Sequence, residues 1–162
     1  YDEYVAIQQE INEKVEEQKK LQTVVGTGTL IWPAPTSYSV TSEFGMRMHP
    51  IYNELRMHTG IDISASYGSS VIASDGGTVI TSKYSSSYGN YIVISHGNGY
   101  TTLYAHLSSR LVAAGDEVTQ SQVIGKVGST GASTGPHLHF EVSKDGNRVN
   151  PLPFFSGYTI VG

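Results

Sequence analysis

Histidine and aspartate residues occur in this chain at spacings that could build a metal site. His58 and Asp62 lie four residues apart, His137 and His139 lie two apart, and His106 falls between the two pairs in the sequence. The chain contains no cysteine, so a transition-metal site in it must use imidazole and carboxylate ligands. A catalytic zinc ion typically takes three protein ligands of this kind and keeps a fourth position for water. These five residues are therefore the first candidates for chemistry.

The segment that follows His137 alternates strictly between polar and apolar residues, which predicts a β-strand. Residues two apart on a strand point to the same face, so His137, His139 and Glu141 should share one face. The apolar residues between them should enter the core: Leu138, Phe140 and Val142. Two imidazoles on one face could reach a single reacting centre. The alternative is an ordinary half-buried strand with a polar outer face.

His58 and Asp62 would lie about 13 Å apart on an extended strand, which is too far for two ligands of one ion. If they share a metal, the chain must turn or bulge between them, and Gly60 permits such a change of direction. The alternative is a polar strand entry without a metal.

The other histidines carry weaker signals. If the strand that contains Tyr104 continues regularly, His106 lies on the same face as Tyr104, where a lone histidine is more often structural. We interpret His96 as a turn residue, and His49 as a residue that lines a cleft or caps a loop.

The order of several short motifs gives the chain a family resemblance. These motifs follow one another within about residues 31–153: Ser42-Glu43-Phe44-Gly45-Met46-Arg47-Met48-His49-Pro50, His58-Thr59-Gly60-Ile61-Asp62, Tyr88-Gly89-Asn90, Tyr104-Ala105-His106-Leu107, Ser133-Thr134-Gly135-Pro136-His137-Leu138-His139-Phe140-Glu141 and Val149-Asn150-Pro151. The chain thereby resembles the lysostaphin/LytM-type zinc metallo-endopeptidases, which cut peptide cross-links in bacterial cell walls. It shows no departure from the family pattern at a metal or catalytic position.

The resemblance implies a role for each candidate residue. His58, Asp62 and His139 become the ligands of one zinc ion, Zn2+, and His106 and His137 become the catalytic pair that handles the water and the oxyanion. The implied reaction is hydrolysis of peptidoglycan cross-links through a zinc-activated water. No glutamate stands at a His-Glu-x-x-His spacing, so imidazole must move the proton, a task that suits its ordinary pKa of about 6.5.

Three questions stay open at this point. Glu141 either orients an imidazole or faces solvent. The function could also belong to another class, that of a non-catalytic LytM-like activator or scaffold for other cell-wall hydrolases, although the intact ligand set argues against it. The residues do not identify the bond that is cut, since D-alanyl-diaminopimelate cross-links and glycyl bridges are both compatible with them.

Short strands and turns must position these residues. Eighteen Gly, eleven Tyr and abundant Ser, Thr and Val favour an all-β main domain over a helical one. The resemblance implies a twisted antiparallel sheet that forms an open substrate groove, a LytM-like arrangement with a duplicated hybrid motif. The loops at residues 82–88 and 128–135 would form the walls, where main-chain hydrogen bonds can hold an extended peptide.

Residues 1–25 have a different character from the rest of the chain. Tyr4, Ile7, Ile11 and Val15 recur near helical spacing, which predicts an N-terminal amphipathic helix, either the end of a coiled coil or a helix packed on a neighbour. Trp32 should anchor the segment that follows. We therefore expect a connector at residues 26–40, the zinc metallopeptidase domain at 41–155 and a C-terminal tail at 156–162.

Bulk properties limit the partners. The net charge is -4 without a run of Lys or Arg, so we set nucleic acid aside, and no apolar stretch has membrane-spanning length. The chain begins at Tyr1 without a signal-peptide pattern, and we expect a fragment or a mature product. Given the resemblance, we expect peptidoglycan peptide stems and cross-bridges as substrates, and a coiled-coil partner or self-association through residues 1–25. The expected location is extracytoplasmic, in the bacterial cell envelope or secreted.

Overall fold

The computed structural model describes residues 2–18, 25–48 and 55–161. Within these ranges one α-helix precedes thirteen β-strands. No helix in the described ranges is long and apolar enough to cross a membrane. The elements are α1 (Asp2–Gln18), β1 (Ser39–Ser42), β2 (Gly45–Met48), β3 (Leu55–His58), β4 (Ile61–Ser64), β5 (Ser70–Ile72), β6 (Gly77–Ser85), β7 (Gly89–Gly97), β8 (Tyr100–Arg110), β9 (Glu117–Val118), β10 (Val123–Val127), β11 (His137–Lys144), β12 (Asn147–Val149), a 3-10 helix (Leu152–Phe154) and β13 (Thr159–Ile160).

Eleven of these strands form one sheet, and β2 and β3 form a separate two-stranded sheet. The main sheet has the order β13-β1-β4-β11-β8-β7-β6-β9, while β10 pairs with β5 and β8, and β12 pairs with β11. The pairing is antiparallel except between β1 and β13. The prediction of an all-β main domain with an antiparallel sheet and an N-terminal helix is confirmed. The open groove and the duplicated hybrid motif stay predictions.

Strand β11 lies between β4 and β8 in this sheet. His139 is therefore opposite Asp62 on one neighbour and Ala105 on the other. The alternation predicted for β11 is confirmed, because its apolar residues are fully buried in the main core: Leu138, Phe140 and Val142. The sheet register thus brings together candidate residues that are about 80 positions apart in the chain.

The two faces of the sheet are covered by different parts of the chain. One face packs into the main apolar core, which includes Trp32. Helix α1 lies on the other face and buries Ile7 and Ile11 in a cluster with Tyr88 and Tyr91. Burying these two isoleucines contributes roughly 3–6 kcal/mol of hydrophobic free energy before the cost of ordering the helix. In this structure the apolar stripe of the helix is covered by its own domain, and a coiled coil continuing from it stays a prediction.

The segments that flank the predicted domain take part in the same fold. Trp32, in the predicted connector, is buried and stacks between the rings of Tyr38 and Tyr158. The predicted tail supplies β13, which extends the sheet beyond β1. Most of the predicted wall at residues 82–88 belongs to β6, which leaves a short turn before β7. The predicted boundaries of these segments were based on composition. Composition does not show which strands pair when they are far apart in the sequence.

Candidate metal centre

The chain turns between His58 and Asp62, as a metal site shared by these two residues requires. Strand β3 ends at His58, β4 begins at Ile61, and Nε2 of His58 comes within 3.3 Å of Oδ1 of Asp62. Gly60 is required here by close approach, because a Cβ atom at this position would overlap the carbonyl oxygen of Phe140 on β11. The turn can therefore lie directly against the strand that carries His139.

Three potential ligand atoms converge at this turn. Nδ1 of His139 lies 2.9 Å from Oδ1 of Asp62, and one atom from each of His58, Asp62 and His139 falls within 4.8 Å of the other two. Ligands about 2.0–2.1 Å from a tetrahedral zinc ion lie about 3.3 Å from one another. The donor types and their separations therefore fit zinc.

Hydrogen bonds fix which imidazole nitrogen faces this point. Nδ1 of His58 donates to the carbonyl oxygen of Glu43 at 2.8 Å, which leaves Nε2 with a free lone pair. Nε2 of His139 donates to Oε2 of Glu141 at 2.8 Å, which directs Nδ1 of the same ring toward Oδ1 of Asp62. Such outer partners orient metal-binding histidines and fix their tautomers.

Glu141 is the most deeply buried carboxylate of the centre, with 1% of its surface exposed. It accepts hydrogen bonds from Thr59, Tyr88 and His139, and its other oxygen lies 3.0 Å from Nε of Arg148. Burial alone would raise the pKa of Glu141, but Arg148 and His139 lower it to about 2. The solvent-facing interpretation of Glu141 is therefore wrong, because the carboxylate contacts an imidazole inside the protein.

The charges of Asp62 and His139 depend on each other. Burial raises the pKa of Asp62, but hydrogen bonds from His139 and His58 outweigh this effect and hold it well below its ordinary value. Burial lowers the pKa of His139, but Asp62 and Glu141 raise it to about 9. Without metal, His139 is therefore a cation between two carboxylates. Its Nδ1 proton occupies the position that a metal would take.

His106 reaches the centre through an irregularity in β8. Its φ is +62°, and the pairing of β7 with β8 shifts by one residue between Asn90 and Ile92, which marks a β-bulge. The bulge turns His106 away from the core face that Tyr104 occupies, so the predicted shared face is wrong. The prediction assumed a regular strand, and a left-handed histidine has no signature in the sequence.

Two carbonyl groups hold His106 in this position, one through its backbone and one through its ring. Its backbone N–H donates to the oxygen of Tyr88 at 2.8 Å, and Nδ1 donates to the oxygen of Thr130 at 2.7 Å. Burial and the neighbouring His139 and His137 lower the pKa of His106 to about 3. The ring is therefore neutral near pH 7, with the lone pair of Nε2 available.

His137 completes the cluster. Nδ1 donates to the carbonyl oxygen of Gly135 at 2.9 Å, and Nε2 lies 3.6 Å from Oδ1 of Asp62. The ring centroids of His137 and His106 are 4.8 Å apart. The structure thus brings together all five residues predicted for the site and leaves two imidazoles outside the three-ligand set.

His96 lies elsewhere. It belongs to β7, where Nδ1 donates to the carbonyl oxygen of Gly76 and Nε2 contacts the hydroxyl of Thr102, and burial lowers its pKa. It is a buried strand residue and its interpretation as a turn residue is wrong. His49 lies outside the described residues.

Sequence reasoning did not single out two residues of the centre, Tyr88 and Arg148. Both contact Glu141, Tyr88 through its hydroxyl and Arg148 through Nε. Tyr88 stood in the Tyr88-Gly89-Asn90 motif and at the end of a predicted loop, and no role was predicted for it, although it is 1% exposed. The buried glutamate was the available clue, because a carboxylate on a core strand requires a cation and hydrogen-bond donors.

Comparisons with known proteins give a family match. A family model described as Peptidase family M23 matches residues 56–151. Over 113 residues the chain is 50% identical to the DD-carboxypeptidase/endopeptidase Mpg of Neisseria meningitidis serogroup B, which covers 70% of this chain and 26% of that protein. The chain thus spans about a quarter of the length of the first curated relatives it matches.

Similar solved structures include two peptidases. A zinc containing peptidase from Vibrio cholerae matches with a TM-score of 0.70 and 35% identity, covering 79% of this chain and 40% of that one. The catalytic domain of the antimicrobial peptidase lysostaphin from Staphylococcus simulans matches with a TM-score of 0.65 and 33% identity, covering 72% of this chain and 91% of that one.

Proposed function

Because this chain belongs to peptidase family M23, we propose that it is a zinc-dependent endopeptidase that hydrolyses the peptide cross-links of bacterial peptidoglycan. One observation carries the proposal: His58, Asp62 and His139 each offer one potential ligand atom, and these atoms lie within 4.8 Å of one another. The name of the relative Mpg, a DD-carboxypeptidase/endopeptidase, supports the choice of bond class.

His58 Nε2, Asp62 Oδ1 and His139 Nδ1 would hold the zinc ion. When bound there, zinc would polarise a water molecule and the carbonyl group of the scissile peptide. Asp62 is ionised, which suits this role. Burial raises its pKa, but hydrogen bonds from His139 and His58 outweigh burial and hold the pKa well below its ordinary value. The carbonyl of Glu43 and the carboxylate of Glu141 keep the two ligand imidazoles in the required tautomers.

His106 and His137 would manage the protons of the reaction. Each donates from Nδ1 to a carbonyl oxygen, of Thr130 and Gly135 respectively, so each presents Nε2 as an acceptor. An acceptor in this position can take a proton from the attacking water and return it to the leaving amine. The second ring can donate to the developing oxyanion once it carries a proton.

The proposed substrate fixes the proposed location. Peptidoglycan lies outside the cytoplasm, so the activity requires an extracytoplasmic chain, in the cell envelope or secreted. The intact ligand set favours an enzyme over a non-catalytic activator. A coiled-coil partner or self-association through residues 1–25 stays a prediction.

Digestion of purified peptidoglycan tests the proposal. The zinc-loaded chain would be incubated with peptidoglycan that carries direct cross-links and with peptidoglycan that carries glycyl bridges, and the products would be identified by mass spectrometry. We expect loss of cross-linked species, no reaction after chelation and recovery on adding zinc. A folded chain that binds no zinc, or that binds zinc and cuts neither substrate, would contradict the proposal.

A further inference from the structure

Glu141 and the polar side chains behind it lie on the side of the His139 ring opposite Asp62. Asp62 meets Nδ1, whereas Glu141 meets Nε2. Behind Glu141 stands Arg148, whose side chain is only 13% exposed. We propose that Arg148 positions His139 through Glu141, and that the docked helix α1 holds Arg148 in place for this task.

Arg148 forms three hydrogen bonds within this group. Nε donates to Oε1 of Glu141 at 3.0 Å, while Nη2 donates to the carbonyl oxygen of Tyr4 at 3.0 Å and to the hydroxyl oxygen of Tyr88 at 3.1 Å. The planar guanidinium group can satisfy acceptors in different directions at once. These bonds fix Glu141 in the rotamer that receives the N–H group of His139.

Helix α1 supplies one of those acceptors and packs on another. The carbonyl group of Tyr4 belongs to the helix, and the ring of Tyr4 meets the ring of Tyr88 edge-on at 5.0 Å. The helix is held on the sheet by Ile7 and Ile11, which are 7% and 2% exposed. Undocking the helix would therefore remove an acceptor from Arg148 and expose the face of Tyr88.

Tyr88 extends this support to His106. Its hydroxyl donates to Glu141, and its backbone oxygen accepts the N–H of His106. A displaced Tyr88 would therefore disturb the bulge that carries His106 as well as the carboxylate that orients His139. The helix, Tyr88 and Arg148 act as one support for the two rings.

The inference rests on the proposed function, because it assumes that His139 binds metal. Its test uses the complete chain loaded with Co2+, whose visible spectrum reports the ligand geometry. The Arg148→Lys variant keeps the positive charge but loses the planar guanidinium group, which bonds several acceptors at once. We expect Co2+ affinity to fall by about 10-fold, the lower end of the range for mutated partners of a metal-binding histidine, because Glu141 itself remains, and we expect the visible band to change.

A matched pair of helix variants tests the part played by α1. Ile11→Asp places a charge at the buried contact, whereas Val5→Asp places the same charge on a residue that is 45% exposed. We expect Ile11→Asp to weaken Co2+ binding and alter the band in the same direction as Arg148→Lys, and Val5→Asp to match the wild type. Circular dichroism and thermal unfolding identify variants whose main domain is intact.

The outcomes separate this inference from the proposed function. A wild-type chain that binds no Co2+ or zinc refutes the proposed function. If the wild type binds metal and a folded Arg148→Lys variant has the same affinity and spectrum, the positioning role is refuted. If Arg148→Lys does not fold, the helix pair decides, and an Ile11→Asp variant indistinguishable from Val5→Asp overturns the inference.

Discussion

Replacing Gly60 by alanine should disturb the metal centre without changing any ligand. The new Cβ would lie 2.8 Å from Cγ of Glu141 and 2.9 Å from the carbonyl carbon of Phe140, whereas ordinary contacts begin near 3.4 Å. The turn and β11 must therefore separate by more than half an ångström. That displacement acts on the same pair of strands that places Asp62 opposite His139.

The expected magnitude follows from the clash with backbone. Overpacking of this kind costs about 1–3 kcal/mol, which corresponds to a fall in Tm of about 2–12 °C for a chain of this size. Zinc affinity, measured by competition with a chelator, should fall with it. The matched control is Gly135→Ala, since a Cβ there meets no atom within 4 Å, and its Tm should not fall. A Gly60→Ala protein with wild-type Tm and zinc affinity would refute the close-approach explanation.

Three further predictions concern the protonation and roles of single residues. His106→Ala and His137→Ala should each abolish peptidoglycan cleavage while metal analysis still finds about one zinc per chain; wild-type turnover in either would refute its role. Zinc affinity, followed by chelator competition, should rise about tenfold per unit between pH 6 and pH 8, because the proton of His139, whose pKa is about 9 without metal, must leave before ligation; a flat profile would contradict this. Burial raises the pKa of Asp75, but N–H groups that include that of Thr27 bring it below its ordinary value of 3.8, so its carboxylate stabilises the fold above about pH 4 and this contribution is lost as the pH falls through the lower folded-state pKa. Urea unfolding of Asp75→Asn should therefore show a deficit at pH 7 that shrinks near pH 3, and a deficit independent of pH would show that the charge is irrelevant.

Local patterns predicted the parts of the site that depend on regular strands. The alternation from His137 to Val142 separated site residues from core residues, because side chains on a strand alternate whatever its partners are. A metal shared by His58 and Asp62 required the strand to end between them, and β3 does end at His58. The family resemblance then united these residues with His106, which the strand pattern alone did not favour.

Features that depend on tertiary packing escaped the sequence. The bulge at His106 has no glycine to mark it. The Asp145-Gly146 turn indicates that β11 and β12 pair as a hairpin, but it does not reveal that Arg148 contacts Glu141 inside the protein. Glu141 could be assigned only once its burial was known. The apolar stripe of α1 predicted a helix, but an apolar stripe does not reveal whether another chain or the same chain covers it.

The left-handed backbone of His106 stores strain at a residue to which the proposed function gives a catalytic role. A residue with a Cβ atom in that conformation costs about 1 kcal/mol relative to glycine. Glycine at position 106 would relieve this strain, but it would also leave a cavity where the buried ring lies and remove the hydrogen bond of the ring to Thr130. A variant library selected only for survival of heating should therefore keep a large side chain at this position despite the strained backbone.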